Sequence, residues 1–191
     1  MTKIEPHPLT MDGKDTTNLR GDSISQERYY DPDFMKQEWQ YLWTRIWHIA
    51  GREQQLQVAG DYIVHDFMRE SVMIVRQRDG SLKGFYNACG HRAARLVWGN
   101  SSQDSFFCPY HGWQWGLDGV LEACPDQDDF PQGDPVGKTA LVEVRVDTWA
   151  GLVWYTMDDK APDLMKYLEP TPALYKGHQF EKAVRVHWLR V

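Results

Sequence analysis

The chain has no apolar run that approaches the roughly 20 residues of a membrane-crossing helix, which argues against a membrane span. Residues 1–25 lack an apolar core of the signal-peptide kind, so no secretory leader is expected. Basic charge is not in excess. There are 21 Lys and Arg against 27 Asp and Glu, a formal net charge of −6, and nucleic-acid binding is not expected without a basic footprint. Cysteine is scarce. Three in 191 residues cannot build a disulfide framework, and a reducing cytoplasm fits that usage. Aromatics are not scarce. Nine Trp and nine Tyr can fill the core of one generous domain, or one domain with an appendage.

Two of the three cysteines sit beside histidines. Cys89-Gly90-His91 and Cys108-Pro109-Tyr110-His111 each offer one thiolate and one imidazole, with sixteen residues between them. Together they make a four-ligand metal site. Thiolate is a soft, electron-rich donor suited to iron in a sulfide cluster, and imidazole brings less negative charge. A two-iron, two-sulfur cluster held by two Cys and two His is therefore easier to reduce than an all-Cys cluster, at roughly −150 to +300 mV against about −400 mV. Each arm must supply one ligand to each iron, so Cys and His belong side by side on a tight loop. Gly90 and Gly112 are placed to relieve crowding there, and Pro109 stiffens the second arm. A structural zinc is the other reading. Zinc sites, however, usually pair Cys with Cys and His with His, whereas each arm here is mixed. The remaining cysteine, Cys124, reads as an ordinary free thiol.

Residues 1–30 read as a polar N-terminal arm. Asp31-Pro32 opens a helix expected over 31–50. Met35, Trp39, Leu42 and Ile46 form its stripe, Trp43 and Trp47 widen it, and Gly51 ends it. From residue 58 the pattern is β. Strands are expected at Asp61–His65, Val72–Arg76 and Leu82–Asn87, with a turn at Asp79-Gly80. Further strands are expected at Trp113–Leu117 and Val120-Leu121 about an Asp118-Gly119 turn, then at Val142–Val146 and Gly151–Thr156. Residues 122–138 read as a long loop, 162–168 as a short helix, and 184–188 alternate as a last strand.

Cys89-Gly90-His91-Arg92 with Cys108-Pro109-Tyr110-His111-Gly112-Trp113 resembles the Rieske domain of ring-hydroxylating oxygenase large (alpha) subunits. Gly60-Asp61-Tyr62, Val72–Arg76, Phe85-Tyr86-Asn87 and Trp149–Trp154 resemble that family too, over about residues 30–191. The resemblance implies a mostly β fold: an antiparallel β-sandwich with two cluster-binding loops, preceded by an N-terminal helix. It implies a Rieske domain over 51–160, with 161–191 as linker and strand leading toward a catalytic domain. Respiratory-chain Rieske proteins resemble a pattern with two extra disulfide-forming cysteines. Ala94 and Tyr110 stand there instead, which favours the oxygenase or ferredoxin branch. One departure is His91-Arg92-Ala93, where many oxygenases have His-Arg-Gly; it leaves subfamily and substrate open.

The resemblance further implies that Cys89 and Cys108 hold the buried iron, and His91 and His111 the outer iron. A ferredoxin or flavin reductase would feed electrons in. A mononuclear Fe(II) in the catalytic domain of this chain or of a neighbouring subunit would receive them, in a homo-oligomer. The free ring nitrogens would donate to an acidic residue of that neighbour. Tyr110 and Trp113 would shield the cluster. The remaining histidines, His7, His48, His65, His178 and His187, form no two-His, one-carboxylate pattern for that second iron, so no catalytic residue is assigned. Because the chain stops inside a strand pattern, it is expected to be the electron-entry portion of a longer oxygenase. A stand-alone Rieske ferredoxin remains the alternative.

Overall fold

The computed structural model describes residues 25–184, 186, 187 and 189. The chain divides into two compact units, 1–38 and 39–191. In the first, Ser25 caps a short 3-10 turn, Gln26–Tyr29, and helix α1 follows over Pro32–Glu38. Asp31 opens α1 as its residue type demands, its Oδ1 accepting from the Asp33 N–H at 2.9 Å. Most of the polar arm expected over 1–30 lies outside the described residues.

The helix expected over 31–50 is not continuous. Beyond Glu38 the backbone widens into a single π turn, Trp39–Trp43, and strand β1 then runs over Trp47–Arg52. The 4-3-4 spacing of Met35, Trp39, Leu42 and Ile46 is real, but Trp47 and His48 beside that stripe are better satisfied elsewhere. They are buried in β1, which pairs antiparallel with a strand a hundred residues later: Trp47 faces Thr156 and His48 faces Tyr155. Gly51 does not stop a helix. It sits where the β1 register shifts by one residue, and a Cβ there would fall 2.8 Å from Gln55 Oε1.

Most of the expected β elements form, and strands at Trp47–Arg52 and Ser105–Phe107 add to those expected. After β1 come β2 (Asp61–Phe67), β3 (Glu70–Arg76), β4 (Leu82–Tyr86), β5 (Ser101–Ser102), β6 (Ser105–Phe107), β7 (Gln114–Gly116), β8 (Leu121–Ala123), β9 (Glu143–Trp149) and β10 (Leu152–Thr156). They form a seven-stranded antiparallel sheet, β1-β10-β9-β4-β3-β2-β5, and a three-stranded sheet, β6-β7-β8. Strand β3 is apolar on both sides because it is buried on both. Val72 and Ile74 enter a core with Ile63, Val144, Val153 and Tyr155, around which the large sheet curls. Met73 and Val75 enter the other core, between the sheets, with Phe85, Phe106, Trp115 and both Cys89 and Cys108. The fold is the expected mostly β, two-sheet antiparallel architecture, with a much shorter N-terminal helix.

The short helix expected at 162–168 is α2, Leu164–Tyr167; α3 follows over Thr171–Leu174. Leu164 is fully buried against Trp47 and Trp154, and the Trp47 indole donates to the Pro162 carbonyl at 2.9 Å. The last expected strand is not formed among the described residues. Val184 and Val186 are exposed and unpaired in any sheet, and Arg185 and Trp188 lie outside the described residues.

Candidate metal centre

Both Cys-His arms are the same backbone loop. In the first, the Cys89 carbonyl accepts from the Ala93 N–H and the Cys89 N–H donates to the Ala94 carbonyl, both at 2.8 Å. In the second, the Cys108 carbonyl accepts from the Gly112 N–H at 3.0 Å and the Cys108 N–H donates to the Trp113 carbonyl at 2.7 Å. Each closes at i+4 and i+5 through a left-handed residue, Ala93 (φ 55°) in one arm and Gly112 (φ 72°) in the other. Gly112 thus has the conformation that favours glycine. Gly90 is needed for space instead, since a Cβ there would fall 2.9 Å from Trp115 Cη2.

The shared loop buries both sulfurs, with Cys89 2% and Cys108 1% exposed. It brings the imidazoles side by side at the surface, with ring centroids 4.8 Å apart at 67°. His91 stacks on the buried indole of Trp113 at 4.6 Å and 5°. His111 lies against the exposed ring of Tyr110 at 3.8 Å. Arg92 of the first arm sits 5.9 Å over the Tyr110 ring of the second. Burial pushes the Cys89 thiol up, only partly opposed by the His91 backbone N–H and the Trp115 indole. Loss of water, ahead of the nearby His111 and Arg92, pushes His91 below its ordinary 6.5 and favours the neutral ring. A cavity of about 530 Å³ opens beside the imidazoles, walled by His91, His111, Trp113, Pro125, Asp129 and Phe130.

A model of the Rieske [2Fe-2S] domain matches residues 46–145. This chain belongs to the Rieske [2Fe-2S] domain family. It is similar to biphenyl 2,3-dioxygenase subunit alpha of Rhodococcus jostii (strain RHA1), 32% identical over 155 residues, 81% of this chain and 34% of that protein. Among solved structures it is similar to naphthalene 1,2-dioxygenase, with TM-score 0.71 and 30% identity over 78% of this chain and 34% of that one. It is also similar to a quaternary ammonium Rieske monooxygenase, with TM-score 0.75 and 26% identity over 82% and 43%. The chain thus spans about a third to two fifths of the length of these relatives.

A Rieske domain binds a two-iron, two-sulfur cluster, and the residues present fit one. Among the described residues three side-chain nitrogens are buried without a hydrogen-bond partner, Arg52 Nε, His111 Nδ1 and Trp115 Nε1, and the last two lie at the arms. A buried unpaired nitrogen is costly, and coordination would remove that cost for His111 Nδ1. The Trp115 N–H tends to lower the Cys89 thiol, so it is within electrostatic reach of that sulfur but outside hydrogen-bond geometry. Among the described residues no three His, Cys, Asp or Glu side chains converge on one metal position.

Support for the Rieske arms comes from residues whose part was not legible in the sequence. Asn87, buried at the end of β4, uses its whole amide. Nδ2 donates to Ser71 Oγ at 3.1 Å and the Val97 carbonyl at 2.8 Å, while Oδ1 accepts from the Leu96 and Val97 N–H groups. It ties the first arm to β3. The signal for it was a lone amide closing an apolar strand. Phe130, from the loop after β8, packs edge-on to Trp113 at 6.0 Å. Cys124 is half-buried, unpaired and outside the arms, as an ordinary thiol would be. His48 and His65 are packing residues. His48 Nε2 donates to the Trp43 carbonyl at 2.6 Å, and His65 Nδ1 shares a hydrogen bond with the Tyr155 hydroxyl at 3.0 Å. His178 and His187 are exposed, and His7 lies outside the described residues. No helix among the described residues is long and apolar enough to cross a membrane.

Proposed function

We propose that Cys89 and Cys108 hold the inner iron and His91 and His111 the outer iron of the cluster, within an electron-transfer unit over residues 51–160. The carrying observation is the equivalence of the two arms, which sinks both sulfurs and leaves both imidazoles at the surface. The cluster, when bound, supplies reversible one-electron exchange at a potential set by its mixed ligation. The chain's own residues do the rest. Cys89, Cys108 and the buried Trp113 and Trp115 exclude water from the inner side. The imidazole edges of His91 and His111 face the surface cavity, where a partner can come close. Exposed Phe107 and Tyr110 flank the second arm and offer apolar contact for such a partner.

In this reading the domain serves an aromatic ring-hydroxylating oxygenase. It takes electrons from a ferredoxin or flavin reductase and delivers them to mononuclear Fe(II) in a catalytic domain, in a homo-oligomer of a longer protein. The two dioxygenase relatives support an aromatic substrate. The quaternary ammonium monooxygenase, whose structure bears on inter-subunit electron transfer in that protein, supports delivery to a neighbouring subunit. Three unpaired cysteines support a reducing, cytoplasmic setting.

The test is anaerobic purification, dithionite reduction, EPR, and metal analysis of the same sample. Two irons per chain with a rhombic signal of the mixed-ligand kind are expected. A colourless, EPR-silent protein with one zinc would overturn the reading. A chain that passes electrons only to a soluble haem protein, and never to a mononuclear-iron oxygenase domain, would leave the carrier alternative.

A further inference from the structure

The two arms are joined through Trp113. Its carbonyl accepts the Cys108 N–H and so closes the second arm, while its indole stacks on His91 of the first. The stack is nearly parallel, 5° at 4.6 Å. Trp113 is itself fixed, 6% exposed and wedged between Trp115 at 5.7 Å and Phe130 at 6.0 Å. Besides this stack, the only aromatic ring paired with His91 among the described residues is His111, edge-on at 4.8 Å. Among the described residues the His91 side chain makes no hydrogen bond, unlike His48 and His65, whose rings are each hydrogen-bonded. His111 is held differently, by Tyr110, which is 60% exposed.

We propose that Trp113 is a positioning residue that sets the ring orientation of His91, so that the two imidazoles are unequally fixed: His91 by a buried clamp, His111 by an exposed surface ring. This rests on reading both histidines as ligands. A core aromatic with no such role would fill the same volume, but it would not need to lie parallel to an imidazole on the opposite arm. Side chains at functional sites keep their geometry only where packing locks them, and the Trp113 indole is the one ring stacked flat on His91 among the described residues.

The experiment is pulsed EPR of the reduced, cluster-loaded protein, resolving the nitrogen couplings of the two imidazoles. His91→Cys identifies which coupling belongs to His91. Trp113→Met keeps bulk but loses the flat face. It is expected to broaden the His91 coupling by roughly twofold and leave that of His111 sharp, because only one ring loses its support. Tyr110→Leu is expected to do the reverse. Trp113→Phe, with a smaller flat face, is expected to fall between wild type and Trp113→Met, and it stands in for Trp113→Met if that variant does not load. Unchanged His91 coupling in either loaded Trp113 variant would overturn the proposal. A wild-type protein with no nitrogen coupling at all would overturn the ligand reading instead.

Discussion

The two Cys-His arms share one backbone and differ in what holds it. The second arm has glycine where the chain turns left-handed; the first has Ala93 at the same turn. The first is fastened from outside the loop by Asn87 and by Arg95, whose Nη2 lies 3.0 Å from Asp66. The second has apolar neighbours: Gly112 sits beneath Phe107 and Pro125. The difference teaches that one backbone loop can be reached by conformational ease in one arm and by hydrogen bonding in another. The strain at Ala93, about 1–2 kcal/mol for an L-residue in this region, is offset by the Asn87 amide, whose buried hydrogen bonds contribute about 1 kcal/mol each.

The comparison breaks most completely at the sulfurs. Cys89→Ser and Cys108→Ser are each expected to abolish cluster loading, read as iron per chain and visible absorbance, because each arm supplies one soft donor. If either variant retained two irons, the equivalence of the arms would be lost. Next come the imidazoles. His111→Cys and His91→Cys should each keep a cluster but lower its potential, by on the order of 100 mV, since an added thiolate stabilises the oxidised state. An unchanged or raised midpoint in voltammetry would contradict the assignment.

The left-handed turns sharpen the comparison through opposite signs. Gly112→Ala should destabilise by about 1–2 kcal/mol, while Ala93→Gly should stabilise by at most about 1 kcal/mol, read from urea midpoints of the loaded protein. A Cβ at Gly112 would meet its neighbours at 3.4 Å, an acceptable contact, so the cost lies in backbone conformation. The same sign for both substitutions would show that the arms are not equivalent there.

A smaller effect contrasts the surface imidazoles with the packed ones. Burial depresses both His48 and His65 below their ordinary 6.5; at His65 the neighbouring His48 adds to it and Asp66 opposes it. A depressed folded value means the unfolded state binds protons first. Stability is therefore full above about pH 6.5 and falls as pH drops through the folded values. Denaturant midpoints between pH 7.5 and 5 should show this decline, and His48→Asn with His65→Asn should flatten it. An unchanged slope in the double variant would place the acid sensitivity elsewhere.

The two Cys-His arms were legible in the sequence because their pattern is local, and the structure sets their imidazoles side by side. Most strands were legible for the same reason. The apolar run Val72 to Val75 and the Asp-Gly turns at 79–80 and 118–119 are local patterns, and both turn glycines have positive φ. The helix boundary was not. Trp39, Trp43 and Trp47 fit a helical period, but Trp47 and His48 pair with Thr156 and Tyr155, partners that no window around residue 47 contains. What Asn87 fastens was hidden similarly, since it lies on other elements, and so was the stacking of Trp113 on His91 of the opposite arm.

Met73, Ile74 and Val75 are fully buried at the centre of β3, with strands on either side and a core on each face. Their amides should be the slowest in the domain to exchange with deuterium, opening only when the whole domain does. The arms are tied to this spine by side chains, through Asn87 to Ser71 and through Trp115 to the core it shares with Met73 and Val75. Local opening at the arms can therefore occur without unzipping the sheet, and a chain that has lost its cluster retains a framework on which to receive another.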